Sequence, residues 1–335
     1  MDKAHLETEE KIKQIDRHIN KIYKEHYKEI YITWTSFFQK LNKKLEPLRE
    51  DIEKAEIGKI RKAKNVYKKA FLKETIRNDD FKKITNKITN NLYQLNKETA
   101  KYINQNMPEI YALNFNYIGE QLEKELSNYN YMRVNIEDVE KYGDITKTKI
   151  DEEKDKKWNE KKISAIILAS AIMVIPIKRI IKKMDKIILQ NRESAYRNTR
   201  DSATDAESKG RLDQMYRASD LGFDIRKQWK ATKDNRTRTA HAQRDGTVIP
   251  LNTDFVPGLS RPRDPNGPAN EIYNCRCTLG FVIPGFEKYS TETARKGIVK
   301  GSYKKSSSFR GTETIEIEKM SYKEWQEWRE RSVKN

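Results

Sequence analysis

The 335-residue sequence has little cysteine, glycine or proline. It contains 2 Cys, 13 Gly and 9 Pro. Two Cys in a chain of this length argue against a secreted fold that is built on disulfides. The first ten residues are polar and acidic, which is unlike the charged and apolar regions of a secretory signal peptide. We therefore expect synthesis in a reducing cytoplasm.

Glycine and proline are also unevenly placed. Three Gly precede Gly210, and six of the nine Pro fall between Pro250 and Pro284. Because these residues interrupt helices and permit irregular loops, the first part should be helical and the second compact and loop-rich, with short strands. The sequence thus predicts a mainly α fold with a small α+β C-terminal module and an extended basic helical N-terminal region. Within the helical part, breaks are expected near Pro47, Asn78 and Pro108.

These differences in composition divide the chain into four segments. Apolar residues recur every three or four positions in the first half, which places them on one face of each helix. The predicted segments are a basic amphipathic helical arm (1–160), an apolar helix with a basic helical region (161–222), a module that holds the chain's rare residue types (223–286), and a C-terminal part with a basic linker, an edge strand and a capped helix that begins near residue 321 (287–335).

Long hydrophobic runs are scarce as well. The longest extends from Ile163 to Ile177, and lysine or arginine flanks it on both sides. Its fifteen residues are fewer than the roughly 20 that cross a bilayer. We favour a buried helix, with membrane contact as the alternative, so a membrane partner is not expected.

Charge of one sign is abundant. The formal net charge is +18, which predicts attraction to polyanions such as nucleic acid. A basic stripe on a predicted helix and a basic, acid-free linker between residues 295 and 310 are the candidate DNA contacts, although a plain solvated face explains the stripe equally well. The candidate residues are Lys178, Arg179, Lys182, Lys183, Arg295, Lys296, Lys304 and Lys305.

The chain's rare residues gather within fifty positions. His241 is the one His beyond residue 26, and Cys275 and Cys277 are the two Cys. Two nearby thiolates and an imidazole can share a zinc ion, with Asp234 or Asp245 as the fourth ligand. The spacing is not a standard zinc framework. Structural zinc, a catalytic metal, and buried thiols packed beside a hydrogen-bonded His therefore all stay open.

The same window holds residues that suit a rigid loop scaffold. Asp234 is followed by Arg236 and Arg238, an arrangement that can form a bidentate ion pair and pin a turn. The pair Asp245-Gly246 is a turn signal. The further structural candidates are Trp229, which should anchor the preceding helix in the core, and Asn274 and Arg276 beside the Cys pair.

Catalysis is the weaker interpretation of this window. A metal-dependent nuclease that uses His241 and an Asp to activate water would suit the basic charge. However, the sequence shows neither a His-Asn-His arrangement nor an acidic cluster for two metals, and Gly-rich phosphate loops are absent. We therefore assign no catalytic residue and keep the nuclease as the alternative function.

The order and spacing of these residues resemble a known family. The run from Trp229 through Asp234, Arg236, Arg238, His241 and Asp245-Gly246 to Asn274-Cys275-Arg276-Cys277 is similar to the Mu F-like head morphogenesis (minor capsid) proteins of tailed bacteriophages. The resemblance is specific over about fifty residues, and the first 160 residues show none.

The resemblance implies a minor capsid protein inside the phage head. Such a protein would associate with the portal vertex, have the portal protein, the major capsid or scaffold protein and double-stranded DNA as partners, and assist head assembly and DNA packaging or ejection. Its expected locations are the virion and, during assembly, the host cytoplasm. Some members carry a toxin or ADP-ribosyltransferase domain after this module. We expect no such activity from the residues that follow Cys277.

Overall fold

A computed structural model describes residues 2–126, 129–142, 144–285, 297–302 and 312–317. Eight α-helices lie within these ranges: α1 (Lys3–Glu53), α2 (Ile60–Glu74), α3 (Asp79–Glu125), α4 (Val139–Tyr142), α5 (Glu152–Met173), α6 (Ile177–Asp220), α7 (Thr239–Gln243) and α8 (Ala269–Ile272). A 3₁₀ turn, Ile136–Asp138, precedes α4. The strands are β1 (Arg226–Lys230), β2 (Val248–Pro250), β3 (Thr278–Val282), β4 (Gly297–Ser302) and β5 (Thr312–Ile317). The prediction of a mainly α fold with a small α+β module is confirmed.

Two of the predicted helix breaks do not occur. Pro47 lies inside α1 and Pro108 inside α3, and both helices continue past the proline. A proline removes one backbone hydrogen bond and disfavours the helix by about 3 kcal/mol. In α3 the apolar residues on either side of it, Met107 and Ile110, are both buried at 1% exposure. Packing of these side chains can offset the local cost of the proline. The sequence pattern does not show this packing.

Other helix ends follow local chemistry. The Asn78 side chain accepts hydrogen bonds from the amides of Asp80 and Phe81, so the predicted break near Asn78 is present and caps α3. Asp151 caps α5 in the same way through the amide of Lys154, at 3.0 Å. At the other end of α5, Val174 takes the left-handed conformation with φ 50°. That residue stops the helix and starts the turn into α6.

The chain divides into two compact units that are not continuous in sequence. One comprises Met1–Ile15, Ile103–Lys147 and Arg197–Asn335, and the other comprises Asp16–Tyr102 and Thr148–Tyr196. The long helices α1, α3 and α6 therefore each supply residues to both units. The four linear segments drawn from the sequence do not coincide with this division, because composition changes along the chain do not reveal which distant segments pack together.

The unit of residues 16–102 and 148–196 is helical. It includes all of α2 and α5, and its buried residues include Trp34 and Phe38 of α1. A polar network joins its helices in the interior: Asn96 donates to Asn191 at 2.8 Å, and Asn191 donates to Asn159 at 2.8 Å. Because each of these buried amides has a partner, the network favours one register of the helices.

The apolar run of residues 163–177 lies in α5 and the following turn. One face of it, including Ile163 and Ile167, is buried, as expected for a core helix. The other face is not: Leu168, Ile172 and Met173 are 45%, 65% and 70% exposed. The interpretation as a fully buried helix therefore holds for one face only. In the described part of the chain, no helix combines the length and the apolar character that a membrane crossing requires.

The second unit contains a three-stranded antiparallel sheet of order β2-β1-β3. Trp229 of β1 pairs with Leu279 of β3, and Lys227 pairs with Ile249 of β2. The central strand is the one that carries Trp229. The expectation that this Trp anchors a preceding helix is corrected here, since it lies on a strand and is fully buried.

Helices cover one side of this sheet. Apolar residues of α3 and α6, among them Leu122 and Met215, form a single core with Leu279 and Phe281 of β3. A smaller apolar cluster consists of Trp229, Leu259, Ile272, Cys275 and Cys277. The rare residues of the sequence thus lie in a core of their own beside the sheet.

The C-terminal segment differs in part from its prediction. Gly297–Ser302 forms β4, which pairs antiparallel with β5, so these residues of the predicted linker are a strand. Basic and small residues predict a linker. Pairing with the alternating β5 segment supplies backbone hydrogen bonds that the local composition does not indicate. The helix predicted near residue 321 lies outside the described residues.

Candidate metal centre

The pairing of the strands and the loops between them bring the rare residues together. β1 and β3 are neighbours, so Trp229 lies close to Cys277, which immediately precedes β3. His241 lies on α7, in the connection between β1 and β2. Cys275 follows α8 in the turn that leads into β3. The order of the strands therefore brings residues that are more than thirty positions apart in the sequence into direct contact.

The geometry of the three side chains is compact. The Nδ1 atom of His241 lies 3.6 Å from the sulfur of Cys275 and 3.4 Å from that of Cys277. One donor atom from each of the three residues lies within 4.8 Å of the other two. All three residues are buried, at 2% exposure or less. The predicted convergence of the His with both Cys is present.

The other nitrogen of His241 contacts an acid. Its Nε2 atom lies 3.0 Å from a carboxylate oxygen of Glu271, and Arg244 donates to the same oxygen at 2.8 Å. The hydrogen bond from Arg244 is the main cause that lowers the pKa of Glu271. A carboxylate that orients a His in this way is a common outer partner of metal-binding His residues. Sequence reasoning did not include Glu271 among the site residues, although it stands three positions before Asn274 in the same motif.

The two thiols share their protons unequally. A hydrogen bond from the Cys277 thiol, helped by His241, lowers the pKa of the Cys275 thiol well below its usual range. Burial and the neighbouring Cys275 sulfur raise the pKa of the Cys277 thiol. Without a cation, the site thus favours deprotonation of one of the two thiols. A bound cation would favour deprotonation of both.

The distances suit a zinc ion. Zinc bonds of about 2.3 Å to sulfur and about 2.0 Å to nitrogen, at tetrahedral angles, place a sulfur and a nitrogen ligand roughly 3.5 Å apart. The measured separations of 3.6 and 3.4 Å match that value. The donor set, two thiols and one imidazole, is also one that zinc prefers. The residues present therefore fit a zinc site to which the described part of the chain supplies three ligands.

Neither predicted carboxylate joins this group. Both oxygens of Asp234 contact the guanidinium of Arg276, one of them at 2.6 Å. Asp245 accepts from the amide of Ala231 at 2.9 Å and forms an ion pair with Lys233 at 2.8 Å. The proposal of Asp234 as a fourth ligand is corrected, because the pair with Arg276 occupies its oxygens.

The partner of Asp234 also differs from the expected one. The bidentate pair was expected with Arg236 or Arg238, which lie in the same turn. Instead the Arg236 side chain is 75% exposed, with its Nε atom 3.9 Å from Asp234. Arg238 donates to the carbonyl of Tyr273. Arg276 supplies the bidentate contact, because the strand order places its segment against the Asp234 turn.

Two backbone positions hold the loops in place. Gly246 has φ 81° in the turn predicted at Asp245-Gly246, which the amide of Thr247 closes by donating to the carbonyl of Arg244 at 2.9 Å. The Gly246 amide donates to the carbonyl of Trp229 at 2.8 Å and so ties the turn to β1. Asn274 has φ 54°, a left-handed conformation that Asn tolerates better than most residues. Its amide donates to Asp201 of α6 at 2.8 Å. The Cys pair is thereby tied to a long helix.

The candidate DNA contacts lie elsewhere. Lys178, Arg179 and Lys182 are exposed on α6, and Lys183 is half-buried. Arg295, Lys296, Lys304 and Lys305 lie outside the residues that the structure describes. The four α6 residues belong to the helical unit of residues 16–102 and 148–196, whereas the His and Cys residues belong to the other unit.

Fold and site together define a class of protein: a helical chain with a small antiparallel module whose two Cys and one His meet in a closed core. Comparison with known proteins finds a family model that matches part of the chain. Residues 169–280, a third of the chain, match the model of the family described as Phage Mu protein F like protein. This match confirms the predicted resemblance of these residues to the Mu F-like proteins.

One curated protein matches a short part of the chain. The NAD(+)--arginine ADP-ribosyltransferase EFV of Enterococcus faecalis (strain ATCC 700802 / V583) is 37% identical over 70 residues. The alignment covers 20% of this chain and 14% of that protein. No solved structure matches the chain.

Proposed function

We propose that this protein is a structural minor capsid protein of a tailed bacteriophage, with no catalytic turnover of its own. It resides inside the head, associated with the portal vertex, and assists head assembly and DNA packaging or ejection. Its partners are the portal protein, the major capsid or scaffold protein, and the packaged DNA. The observation that carries this proposal is the family match over residues 169–280, the stretch that contains His241, Cys275 and Arg276.

The burial of the site favours a structural role over the nuclease alternative. A catalytic zinc keeps an open position for water and substrate, whereas a structural site is closed. Here His241, Cys275 and Cys277 are all buried, and Asp234 is held by Arg276. The arrangement that a nuclease would need, His241 beside a water-activating Asp, is therefore not supported.

The activity in the relative's name does not extend to this chain. The alignment with the ADP-ribosyltransferase covers 14% of that protein. Such a short region is consistent with one shared module and does not reach the length of a whole enzyme. We infer that this chain shares a module with that protein and does not share its reaction.

We further propose that a structural zinc ion joins His241, Cys275 and Cys277. The ion would cross-link α7 to the segment before β3. Glu271 orients the imidazole so that Nδ1 faces both sulfurs. The described residues supply three of the four ligands that a closed zinc site needs.

Metal analysis tests the zinc proposal directly. Protein purified without chelator should contain close to one equivalent of zinc, and Cys277→Ser should lose most of it. His26→Ala is the matched control, because His26 is partly exposed and far from the site in sequence. Less than about half an equivalent in the wild-type protein would contradict the proposal. Equal zinc content in Cys277→Ser and wild type would contradict the ligand assignment.

Location in the head is tested by imaging and deletion. An electron-microscopy map of heads from the phage that carries the gene should show density for this chain at the portal vertex. Heads assembled without the chain should be fewer or should package less DNA, and expression of the wild-type chain should restore them. Normal heads without the chain, or density distributed over the capsid lattice, would refute the proposed role.

The proposed DNA contact uses the exposed part of the α6 stripe. Lys178, Arg179 and Lys182 point into solvent, where they can neutralise phosphates without reading bases. Affinity for duplex DNA should therefore fall steeply with salt. Binding that stays constant between low and moderate salt would contradict this electrostatic contact.

A further inference from the structure

Helix α2 carries an unusual density of positive charge. Its fifteen residues include six Lys or Arg and a single acid, Glu74. All six cationic side chains are exposed. They are Arg61, Lys62, Lys64, Lys68, Lys69 and Lys73. The family match begins at residue 169, well beyond this helix.

These charges lack acidic partners. Glu74, the acid of α2, forms its ion pair with Lys44 of α1, at 2.9 Å. Acids at the end of α1 are also engaged: Glu53 pairs with Arg49 at 3.2 Å, and Glu50 pairs with Lys54 at 3.0 Å. Across the described ranges of the chain, no ion pair joins any of the six α2 cations to a carboxylate. Nearby acids therefore do not neutralise this face.

The orientation of α2 is fixed by its other face. Tyr67 and Phe71 are buried at 1% and 0% exposure, and α2 packs against α5 within the same unit. Because these two aromatic residues hold one side of the helix against the core, the cationic side chains must remain on the outside. The charge is thus a fixed feature of the folded unit.

We propose that the exposed face of α2 binds the phosphate backbone of double-stranded DNA. The span from Arg61 to Lys73 is about 18 Å at 1.5 Å per residue. Over this length duplex DNA carries about ten phosphate charges on its two strands, one per roughly 1.7 Å of axis. The exposed cations of α2 can therefore neutralise several phosphates on the side of the duplex that they face.

Other polyanions fit this face less well. A membrane-bound helix needs a broad apolar face beside its cations, and a protein interface needs buried aromatic or apolar anchors. In α2, which the structure describes in full, the exposed apolar side chain is Val66, at 47%. The aromatic residues of the helix are buried. Charge without anchors favours a sequence-independent contact with phosphates.

The identification of the polyanion as packaged DNA rests on the proposed function. The α2 contact would be separate from the α6 stripe and would add six exposed cations to the three of that stripe. Lysine and arginine that contact phosphates, without side chains that read the bases, hold DNA and still let it slide. This behaviour suits DNA that must enter and leave a head.

Salt-dependent DNA binding tests the proposal with matched variants. The test variant of the full chain is Lys64→Gln, Lys68→Gln and Lys69→Gln together, which keeps good helix-forming residues. The control variant is Lys54→Gln, Lys82→Gln and Lys87→Gln, three exposed lysines that already pair with Glu50, Asp79 and Glu29. Both variants lose the same net charge. Circular dichroism verifies that each remains helical.

The expected result is a change in the salt slope for the test variant alone. Binding to a 30-base-pair duplex is followed by fluorescence anisotropy from 50 to 200 mM salt. Removal of three phosphate contacts should make the slope of log K against log salt less steep by about 2.7. The loss of affinity across that salt range should then be roughly 40-fold smaller than for wild type. The control variant should keep the wild-type slope.

Three results would overturn the proposal, and they are distinguishable. Equal slopes for test and control variants would remove α2 from the DNA contact while leaving the proposed DNA contact of the whole protein intact. No wild-type binding at 50 mM salt would refute both. Binding to vesicles that contain phosphatidylserine, lost in the test variant and accompanied by no DNA binding, would replace DNA by a lipid surface.

Discussion

The pair between Asp234 and Arg276 gives the most direct test of the module's architecture. Arg276→Met removes the guanidinium but keeps a long apolar side chain in its place. Asp234 is 9% exposed and Arg276 is 13% exposed by side chain, so the Asp234 carboxylate would stay buried without its counter-charge. Its remaining contacts include a backbone hydrogen bond from Arg236 at 2.9 Å and one from the Thr237 hydroxyl at 3.2 Å.

The size of the effect follows from that burial. Loss of one partner from a buried ion pair costs about 3–5 kcal/mol, because an uncompensated charge remains. The pair here is slightly exposed and Asp234 keeps two neutral donors, so we expect a value near the lower end, about 3 kcal/mol. Part of this loss should be recovered in the double variant Asp234→Asn with Arg276→Met, where no charge is left behind.

The control comes from the same loop. Arg236→Met removes an equal charge from a side chain that is 75% exposed and 3.9 Å from Asp234. A weak, solvated contact of this kind is worth less than about 1 kcal/mol. Hydrogen exchange of the amides in β1 and β3, measured at low denaturant, reports the stability of the module without contributions from the helical unit.

A specific outcome would refute this reasoning. If Arg276→Met and Arg236→Met lowered the stability of β1 and β3 by equal amounts, Arg276 would not be the bidentate partner of Asp234. A loss below about 1 kcal/mol for Arg276→Met would show that water reaches Asp234 and replaces the guanidinium.

Two further changes probe the same unit. Burial lowers the pKa of Lys227 to about 8, so protonation of this amine opposes folding below pH 8, and the contribution of Lys227 to stability should rise by up to about 3 kcal/mol between pH 8 and 10.5. Lys227→Met should remove that rise and stabilise the protein at pH 7, since the Tyr216 hydroxyl still donates to the carbonyl that Lys227 contacts; an unchanged pH profile in urea unfolding would contradict this. At Gly210 an added Cβ would lie 2.5 Å from the carbonyl oxygen of Tyr111, so Gly210→Ala should cost about 1–3 kcal/mol in the same assay despite the better helix propensity of Ala. Gly58→Ala, which meets nothing within 4 Å, should be close to neutral, and equal effects at the two glycines would contradict the close helix contact.

The fold class and three members of the central site could be predicted from composition and side-chain chemistry. Scarce Gly and Pro before residue 210 predicted helices, and their return after residue 250 predicted the loop-rich module. His241, Cys275 and Cys277 could be selected because thiols and imidazoles are rare in this chain and share one chemistry. Composition and side-chain chemistry are properties of the chain alone, so these predictions needed no coordinates.

The pairings between side chains could not be predicted in this way. Sequence proximity favoured Arg236 and Arg238 as partners of Asp234, whereas the sheet brings Arg276 to it from 42 positions away. Glu271 joined the site through its contact with the outer nitrogen of His241, a relation that no local pattern indicates. Similarly, the cations of α2 are visible in the sequence, but their exposure and lack of partners depend on where the acids of α1 find their own ion pairs. Contacts between distant segments depend on strand order and helix packing, and for that reason they emerged only from the folded chain.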